Sequence, residues 1–246
     1  MIGTIRVVGA THPGRRRDNN EDAFHIEERL CAAILADGMG GQNCGEVGSE
    51  ITVRATLEYL KQPEPALTLE ETAMEAIRAA NREVIAEAHR RPECDGMGST
   101  IVLALWRLPE LVLANVGDSR GYLLRGGGLR QLSYDQNFAN ELRTKLGLSE
   151  ERVRSMPNRN VLTMAVGSFQ QVLVRTHIEQ IQPGDRILLC SDGLHGPVAE
   201  KDIVAIIGNA MGLEDAVERL IFAANENGGP DNVTAVLLEF GNEADG

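Results

Sequence analysis

Aspartates stand at the boundaries of apolar, strand-like runs in this chain, and their positions constrain the fold more than any other feature of the sequence. Three follow such a run, namely Asp37, Asp118 and Asp192, and two precede one, namely Asp22 and Asp231. In an antiparallel sheet, the end of one strand and the start of its neighbour lie at the same edge. The sequence therefore predicts antiparallel sheets with these carboxylates gathered at one edge.

A purely structural protein has little reason to build such an edge, because clustered carboxylates repel one another and their pKa values rise. Divalent cations resolve this conflict. The candidate ligands are all oxygens, and no His or Cys has suitable spacing, which favours Mg²⁺ or Mn²⁺ over Zn²⁺ or copper. Two such ions can lower the pKa of a bridging water and stabilise an in-line displacement at phosphorus. The pattern predicts a two-metal phosphate-ester hydrolase.

The segment Asp37-Gly38-Met39-Gly40-Gly41 follows the apolar run at residues 31–36. An Asp-Gly pair after a strand is by itself typical of a turn. Glycines also let the backbone bring its carbonyls beside a carboxylate, and such oxygen clusters bind hard cations. The acids at the other strand boundaries favour the second interpretation, in which this segment is one corner of an active site.

Three consecutive arginines, Arg15, Arg16 and Arg17, precede Asp22 in a polar loop. One interpretation is a solvated cluster of salt bridges. The alternative is an anion clamp beside a metal site, because the planar guanidinium group matches the geometry of a phosphate.

Helical periodicity is found in two pairs of segments. The first pair covers residues 46–61 and 68–90, and Thr68 with Glu71 forms a capping box at the start of the longer helix. The second pair covers residues 199–209 and 213–227, and strand-like runs separate the two pairs.

The stretch 135–160 has a weak pattern apart from a short predicted helix over residues 138–146. Loops of this length are usually functional or disordered, so we interpret it as a flexible flap near the site. Apolar alternation resumes at residues 161–166 and 173–178, which predicts further strands.

Composition favours one globular domain at residues 1–240, followed by a disordered tail at 241–246. The formal charge of −12 would repel nucleic acid and anionic lipid. No run has the length of a membrane span or of the apolar core of a signal peptide. The four cysteines, at 31, 44, 94 and 190, lack metal-ligand spacing, and we expect reduced thiols in a cytoplasmic protein.

Six short motifs occur in the order that is found in one enzyme family. They are Arg17 with Asn20-Glu21-Asp22, Asp37-Gly38-Met39-Gly40-Gly41 with Gly45-Glu46, Gly96-Met97-Gly98-Ser99-Thr100, Val116-Gly117-Asp118-Ser119-Arg120, Ser191-Asp192-Gly193-Leu194 and Gly229-Pro230-Asp231-Asn232-Val233-Thr234. In these motifs the chain resembles the bacterial metal-dependent protein phosphatases, the PPM family, also called protein phosphatase type 2C. The resemblance implies an α+β fold in which an antiparallel β-sandwich is flanked by pairs of helices, giving four αββα layers.

The resemblance also implies metal ligands, with two Mn²⁺ or Mg²⁺ ions in the site. Asp37 would bridge both ions, the backbone carbonyl of Gly38 would bind one of them, and Asp192 and Asp231 would complete the other. Asp118, with Asp192, would hold a third, weaker ion. Each of these residues matches a motif position of the family.

Two further roles follow from the same resemblance. Asp22 would orient a metal-bound water, and Arg17 would bind the phosphate. The catalytic residues would then be Arg17, Asp37 and Asp192, and water activated by two metals would attack the phosphate directly, without a phosphoenzyme.

The chain departs from the family pattern at several positions where histidine is usual. It has Gln42 after the two glycines, Asn115 before Val-Gly-Asp-Ser, Gln136 after Asp135, and Met39 at the position of the eukaryotic-type acid. None of these positions is a metal ligand in the resemblance, so we still expect the chain to be a catalyst. Protonation of the leaving alkoxide would then fall to water.

The five histidines of the chain are not expected to bind metal. His12 is expected to make loop hydrogen bonds, with substrate contact as the alternative. His195 is expected beside the site.

These observations predict a serine/threonine phosphoprotein phosphatase that acts as a monomer on a phosphorylated protein, such as a Ser/Thr kinase or its targets. The alternative is a catalytically inert phosphoprotein-binding regulatory module on the same fold. A further alternative is a two-metal phosphodiesterase. The acidic charge of the chain disfavours nucleic acid as the substrate of such an enzyme.

Overall fold

The computed structural model describes residues 2–40, 44–149, 152–153, 156, 158 and 160–242. The described residues form groups of consecutive strands separated by one to three helices. The strands are β1 (Ile2–His12), β2 (Asp22–Glu27), β3 (Ala32–Met39), β4 (Gly98–Ser99), β5 (Ile101–Arg107), β6 (Glu110–Val116), β7 (Arg120–Arg125), β8 (Gly128–Gln131), β9 (Arg175–Gln180), β10 (Arg186–Cys190) and β11 (Val233–Asn242).

The helices lie between these strands and include one that the sequence analysis did not predict. They are α1 (Gly45–Lys61), α2 (Leu69–Arg90), α3 (Phe138–Leu146), α4 (Asp192–His195), α5 (Glu200–Gly208) and α6 (Leu213–Glu226). The unpredicted helix is α4, whose four residues are too few to show a periodicity.

Two antiparallel sheets form a sandwich. The first has the order β1-β11-β10-β7-β8, and the second has the order β2-β3-β5-β6-β9, with β4 paired to β3. Because side chains alternate between the two faces of a strand, Leu35 points into the core between the sheets, whereas its neighbour Ile34 packs in the core that contains α1 and α2 residues. Residues of α5 and α6 pack in a third core with the outer face of the first sheet. The predicted αββα architecture is confirmed.

The start of α2 is fixed by the predicted capping box. The Glu71 backbone N–H donates to Thr68 Oγ1 at 3.2 Å, and the Glu71 carboxylate accepts from the Thr68 backbone N–H at 2.8 Å. Two backbone donors at the helix end are thereby satisfied. The apolar stripe of α2, which includes Ile77 and Val84, is fully buried against the second sheet and α1.

The prediction of reduced thiols is wrong for two of the four cysteines. Cys44 and Cys94 form a disulfide across 50 positions of sequence, while Cys31 and Cys190 are free. Sequence spacing could not reveal the pair, because α1 and α2 form an antiparallel hairpin that brings the start of α1 back to the end of α2. Cys44 directly precedes α1, and Cys94 lies in the short turn after α2.

Two predicted segments differ from the structure. Residues 161–166 form no strand in the described part of the chain and make only single bridges, Asn137 to Leu162 and Ser99 to Val166. The first two residues of the predicted tail belong to β11, which continues through Asn242, and residues 243–246 lie outside the described residues.

The predicted flap at 135–160 contains α3 as expected, but several of its other positions, including 150–151 and 154–155, also lie outside the described residues. Among the helices that the structure describes, none is both long and apolar enough to span a bilayer.

Candidate active site

Asp22 and Asp37 face each other directly across the β2–β3 pair. They are register partners in that antiparallel ladder, so their side chains leave the sheet on the same face, with Cβ atoms about 5 Å apart. The pairing follows from the local sequence, because Asp22 begins β2 and Asp37 lies near the end of β3. Two of the predicted acids are thus brought together by strand register alone.

The carboxylate of Asp22 is buried and held by hydroxyl groups of the other sheet. Its Oδ2 accepts hydrogen bonds from Ser191 Oγ at 2.8 Å and from Thr234 Oγ1 at 2.6 Å. Its Oδ1 is buried without a hydrogen-bond partner among the described residues. Buried oxygens without a partner are rare in proteins, so this atom suits a ligand or a ligand-bound water.

The backbone around Asp37 is fixed by hydrogen bonds with Ser99 and Thr100. The Asp37 N–H donates to Thr100 Oγ1 at 3.0 Å, and the Asp37 carbonyl accepts from Ser99 Oγ at 3.0 Å and from the Thr100 N–H at 2.8 Å. Gly38 follows where the chain is too close to another segment for any side chain, since an added Cβ would lie 2.0 Å from the Gly45 carbonyl oxygen. These contacts fix where the Asp37 carboxylate and the Gly38 carbonyl lie.

Asp118 and Asp192 reach the same place from the ends of two other strands. Asp118 lies in the β6–β7 turn, which Gly117 permits with a φ of +95° that other residues rarely adopt. Asp192 is the first residue of the four-residue helix α4, and Ser191 alone separates it from the end of β10.

Asp231 precedes β11 and forms an ion pair with the predicted phosphate-binding residue. Arg17 Nη2 lies 2.7 Å from Asp231 Oδ2. The loop that carries Arg17 is attached to the start of β11 by Asn232, whose Nδ2 donates to the Pro13 and Asn19 carbonyls at 3.0 and 2.8 Å. Because the Arg17 side chain is 52% exposed, this ion pair contributes little stability, and its importance lies in where it holds the guanidinium.

Burial, and after it repulsion among the acids, raises the pKa values of the site carboxyls. Burial raises the pKa values of Asp22 and Asp118 to about 6. Burial and then repulsion from Asp118 and Asp231 raise the pKa of Asp192 to about 7. Burial of the Asp37 carboxyl, together with repulsion from the other four aspartates of the group, raises its pKa well above the usual range. The predicted crowding of negative charge is therefore present.

Most of these groups line one open cavity of about 540 Å³. The predicted site residues that line it are Arg17, Asp37, Gly38, Asp118, Asp192 and Asp231. Asp22 does not line the cavity and faces Asp37 from the strand pair. The lining also includes apolar residues, among them Val161, Met164 and Phe169, the first two of which come from the segment that was predicted to form a strand.

The residues present fit divalent cations. The donors are carboxylate and carbonyl oxygens, the buried Asp22 Oδ1 has no other partner, and the crowded carboxylates lack compensating charge apart from Arg17 among the described lining residues. In the described part of the chain, no three acidic, His or Cys side chains approach closely enough to enclose an ion by themselves. Such enclosure is not required, because Mg²⁺ usually keeps several waters beside one or two carboxylates.

Two of the positions that depart from the family pattern, 115 and 136, are occupied by amide side chains that hold the backbone. Asn115 hydrogen-bonds the backbone N–H and carbonyl of Tyr134, and Gln136 Oε1 accepts from the Gly117 N–H at 2.8 Å. Both side chains therefore fix the loop behind Asp118. Met39 lines the cavity, and Gln42 lies outside the described residues.

Two histidines lie where the sequence analysis expected them. His12 Nδ1 accepts from the Gly14 N–H at 3.0 Å, which is a loop hydrogen bond. His195 Nε2 lies 3.1 Å from the Asp118 carbonyl. Burial lowers the pKa of His195 to about 3, so its imidazole is neutral and donates this hydrogen bond.

Sequence reasoning assigned no role to several residues that hold the acids. Ser191, Thr234 and Asn232 belong to motifs that were recognised only for their aspartates, and their polar side chains next to a candidate ligand were the available signal. Asn137 was missed because it lies 19 residues from its partner Asp118.

An antiparallel sandwich that presents clustered carboxylates and an arginine in one cavity is the arrangement of a phosphate-ester hydrolase. Comparison with known proteins agrees. The family model for protein phosphatase 2C matches residues 8–238. A serine/threonine phosphatase stp of Listeria innocua is 37% identical over 235 residues, which cover 93% of each chain. The serine/threonine protein phosphatase PstP of Mycobacterium tuberculosis is 37% identical, with 96% of this chain matching 45% of that protein.

Solved structures show the same similarity. The crystal structure of the Mycobacterium tuberculosis phosphatase superposes with a TM-score of 0.89 at 35% identity, covering 97% of this chain and 99% of that one. The catalytic domain of PstP in complex with two manganese ions gives 0.86 at 33% identity, covering 97% and 99%. The chain therefore belongs to the protein phosphatase 2C family.

Proposed function

We propose that this chain is a metal-dependent serine/threonine phosphoprotein phosphatase with its catalytic domain at residues 1–240. The observation that carries the proposal is the single cavity in which Asp37, Asp118, Asp192 and Asp231 lie beside Arg17. Membership of the family supports the same reaction, because similar chains of more than 90% coverage are serine/threonine phosphatases.

The ligands proposed for two Mn²⁺ or Mg²⁺ ions are the carboxylate of Asp37 as a bridge, the carbonyl of Gly38, and the carboxylates of Asp192 and Asp231. Asp118, with Asp192, is proposed for a third ion. When bound, the ions would lower the pKa of a water molecule and neutralise charge on the phosphate. The two manganese ions in the PstP catalytic domain support this number of ions.

Asp22 has a different proposed role, which is to orient the attacking water. Its Oδ2 is occupied by Ser191 and Thr234, so the carboxylate cannot rotate freely. The buried Oδ1, which has no partner in the part of the chain that the structure describes, is then the atom that can accept a hydrogen bond from water.

Arg17 is proposed to bind the phosphate of the substrate. Its Nη2 donates to Asp231 at 2.7 Å, but a guanidinium carries five N–H donors in a planar fork. It can therefore hold Asp231 on one side and phosphate oxygens on another. In this arrangement the ion pair directs the arginine toward the cavity.

Protonation of the departing serine or threonine oxygen is proposed to come from water. The described residues that line the cavity include no histidine or lysine, and Met39 occupies the position of the eukaryotic-type acid. An alkoxide is basic enough to take a proton from a water molecule held in the site.

The proposed substrate is a phosphorylated protein, such as a Ser/Thr kinase or one of its targets, and the proposed enzyme is monomeric. The cavity is open to solvent and has both charged and apolar residues in its lining, which suits a side chain presented by another protein. We propose a cytoplasmic location because ATP-dependent kinases supply such substrates there. The Cys44–Cys94 disulfide is unusual for a reducing cytosol, so its redox state in cell extracts tests that location.

The test of the proposed function is hydrolysis of a phosphothreonine peptide, a phosphotyrosine peptide and an aryl phosphodiester with and without Mn²⁺. We expect Mn²⁺-dependent release of phosphate from the phosphothreonine peptide at the highest kcat/KM. Preference for the diester would instead support the phosphodiesterase. No turnover of any substrate, with no Mn²⁺ binding by calorimetry, would support the inert regulatory module.

Arg17→Ala is expected to raise KM for the phosphopeptide about 10-fold to 100-fold with a smaller change in kcat, since hydrogen bonds to charged groups contribute about 1.5–3 kcal/mol. Arg17→Lys should recover only part of the loss, because an ammonium lacks the planar fork. Arg16→Ala, at an exposed neighbouring position, is the matched control and should match wild type. An unchanged KM and kcat in Arg17→Ala would remove Arg17 from the site.

A further inference from the structure

The geometry points to Asn137 as a positioning residue that fixes the Asp118 carboxylate for cation binding, an inference that rests on the proposed function. Asn137 Nδ2 donates to Asp118 Oδ2 at 3.1 Å. Both residues are buried, with relative exposures of 8% and 7%. A hydrogen bond in such a place is not replaced by bulk water when it is lost.

The orientation of the Asn137 amide is set by a second contact. Its Oδ1 accepts the backbone N–H of Asn140 at 3.0 Å and so caps the N-terminus of α3. Capping requires an acceptor, which places the amide oxygen at the helix and the NH₂ group toward Asp118. The assignment of the two amide atoms is thereby fixed by the structure.

The backbone of Asp118 is held independently of Asn137. His195 donates to the Asp118 carbonyl at 3.1 Å, and Gly117 on its N-terminal side is fixed by hydrogen bonds with Gln136. The remaining freedom of Asp118 is rotation of its side chain. The Asn137 amide engages one oxygen of that carboxylate, while Asp118 still lines the cavity.

Capping alone does not explain an asparagine at this position. Serine and threonine cap helices about as well, but their shorter side chains do not provide both an acceptor for Asn140 and a donor that reaches Asp118. Removing a group that hydrogen-bonds a metal-binding side chain commonly changes the metal affinity 10-fold to 100-fold. The second hydrogen bond of Asn137 is of this type.

The experiment is a calorimetric titration of metal-free protein with Mn²⁺, without substrate, for wild type, Asn137→Ser and Asn137→Thr. Both variants retain a helix cap and lose the donor to Asp118. We expect the weakest Mn²⁺-binding step to weaken about 10-fold or more. The melting temperature without metal should fall by roughly 2–12 °C because a buried hydrogen bond is lost, whereas KM for the phosphopeptide at saturating Mn²⁺ should stay at the wild-type value.

Two comparisons separate positioning from a general loosening of the segment. Asn140→Ala removes the hydrogen bond from Asn140 Nδ2 to the Asp135 carbonyl. This bond lies on the same stretch of chain but does not involve Asp118. The variant should therefore bind Mn²⁺ as wild type does. In an Asp118→Asn background, Asn137→Ser should have no further effect on Mn²⁺ binding.

Wild-type affinity in both Asn137 variants, or equal weakening in Asn140→Ala, would overturn the inference. An additional loss from Asn137→Ser in the Asp118→Asn background would also overturn it. Failure of the proposed function is distinguishable, because wild type itself would then show neither Mn²⁺ binding nor Mn²⁺-dependent turnover.

Discussion

Replacing Asp37 by asparagine is expected to reduce Mn²⁺-dependent turnover of a phosphopeptide at least about 100-fold, which is the upper end of the cost of losing a group that merely supports a ligand. Asparagine keeps the shape of the side chain but not its charge. The backbone contacts of Asp37 with Ser99 and Thr100 do not involve its carboxylate, so the local fold should be retained in the variant. The measurement is kcat/KM against Mn²⁺ concentration.

The same substitution should stabilise the metal-free protein. Burial and repulsion from Asp22, Asp192, Asp118 and Asp231 raise the pKa of Asp37, so its ionised form is unfavourable in the folded state. Removing an uncompensated buried charge typically recovers about 1 kcal/mol or more, which corresponds to a rise in Tm of roughly 2–4 °C for a domain of this size. Activity and stability should therefore change in opposite directions.

The stabilisation should depend on pH in a defined direction. An unfolded aspartate has a pKa of about 3.9, whereas Asp22 and Asp118 titrate at about 6 and Asp192 at about 7 in the folded protein. Between these values the folded state binds more protons, so metal-free stability is highest near pH 4 with respect to these groups and falls as pH rises through about 7. Asp37→Asn should make this decline shallower.

Asp18→Asn is the matched control, because Asp18 is an exposed acid of the neighbouring arginine loop. It should change neither turnover nor the pH dependence of Tm. Near-normal turnover in Asp37→Asn would show that Asp37 is not the bridging ligand. A lower Tm at pH 8 would show that the carboxylate of Asp37 is compensated within the protein.

Loss of the Cys44–Cys94 disulfide is expected to lower the free energy of unfolding by about 2–4 kcal/mol, because a cross-link over a long loop restricts the unfolded chain. The loop closed here spans 50 positions and contains both α1 and α2. A change of this size corresponds to a fall in Tm of roughly 4–16 °C. The measurement is calorimetric Tm of wild type with and without reductant, beside the double variant Cys44→Ser/Cys94→Ser.

The double variant should melt like reduced wild type and should not respond to reductant. Cys31→Ser, which leaves the disulfide intact, should keep the full response. Equal melting temperatures for oxidised and reduced wild type would show that the cross-link does not stabilise the fold.

Local signals in the sequence were sufficient for most of the fold. Helix α2 was predicted from its apolar stripe and the Thr68–Glu71 capping box, both of which depend only on neighbours within a few positions. The aspartates at strand boundaries likewise predicted one acidic edge, because antiparallel connection leaves little choice about where those boundaries meet.

Features that depend on distant contacts were not accessible in this way. The residues at 161–166 alternate like a strand, but most of them line the cavity, and the segment makes only single bridges in the described part of the chain. The disulfide depends on the helix hairpin that joins its ends. The Asp22 contacts with Ser191 and Thr234 cross about 170 and 210 positions, and no local pattern encodes such a distance.

Those Asp22 contacts join the two sheets. Asp22 belongs to the second sheet, whereas Thr234 belongs to the first and Ser191 directly follows β10. The proposed ligands are divided in the same way, since Asp37 lies on β3 while Asp192 and Asp231 adjoin β10 and β11. The alignment of one sheet on the other therefore sets the spacing of the reacting groups. A displacement of about 1 Å can cost 100-fold in rate, so residues packed between the sheets that do not line the cavity, such as Leu113 and Leu189, can govern catalytic speed without taking any part in the chemistry.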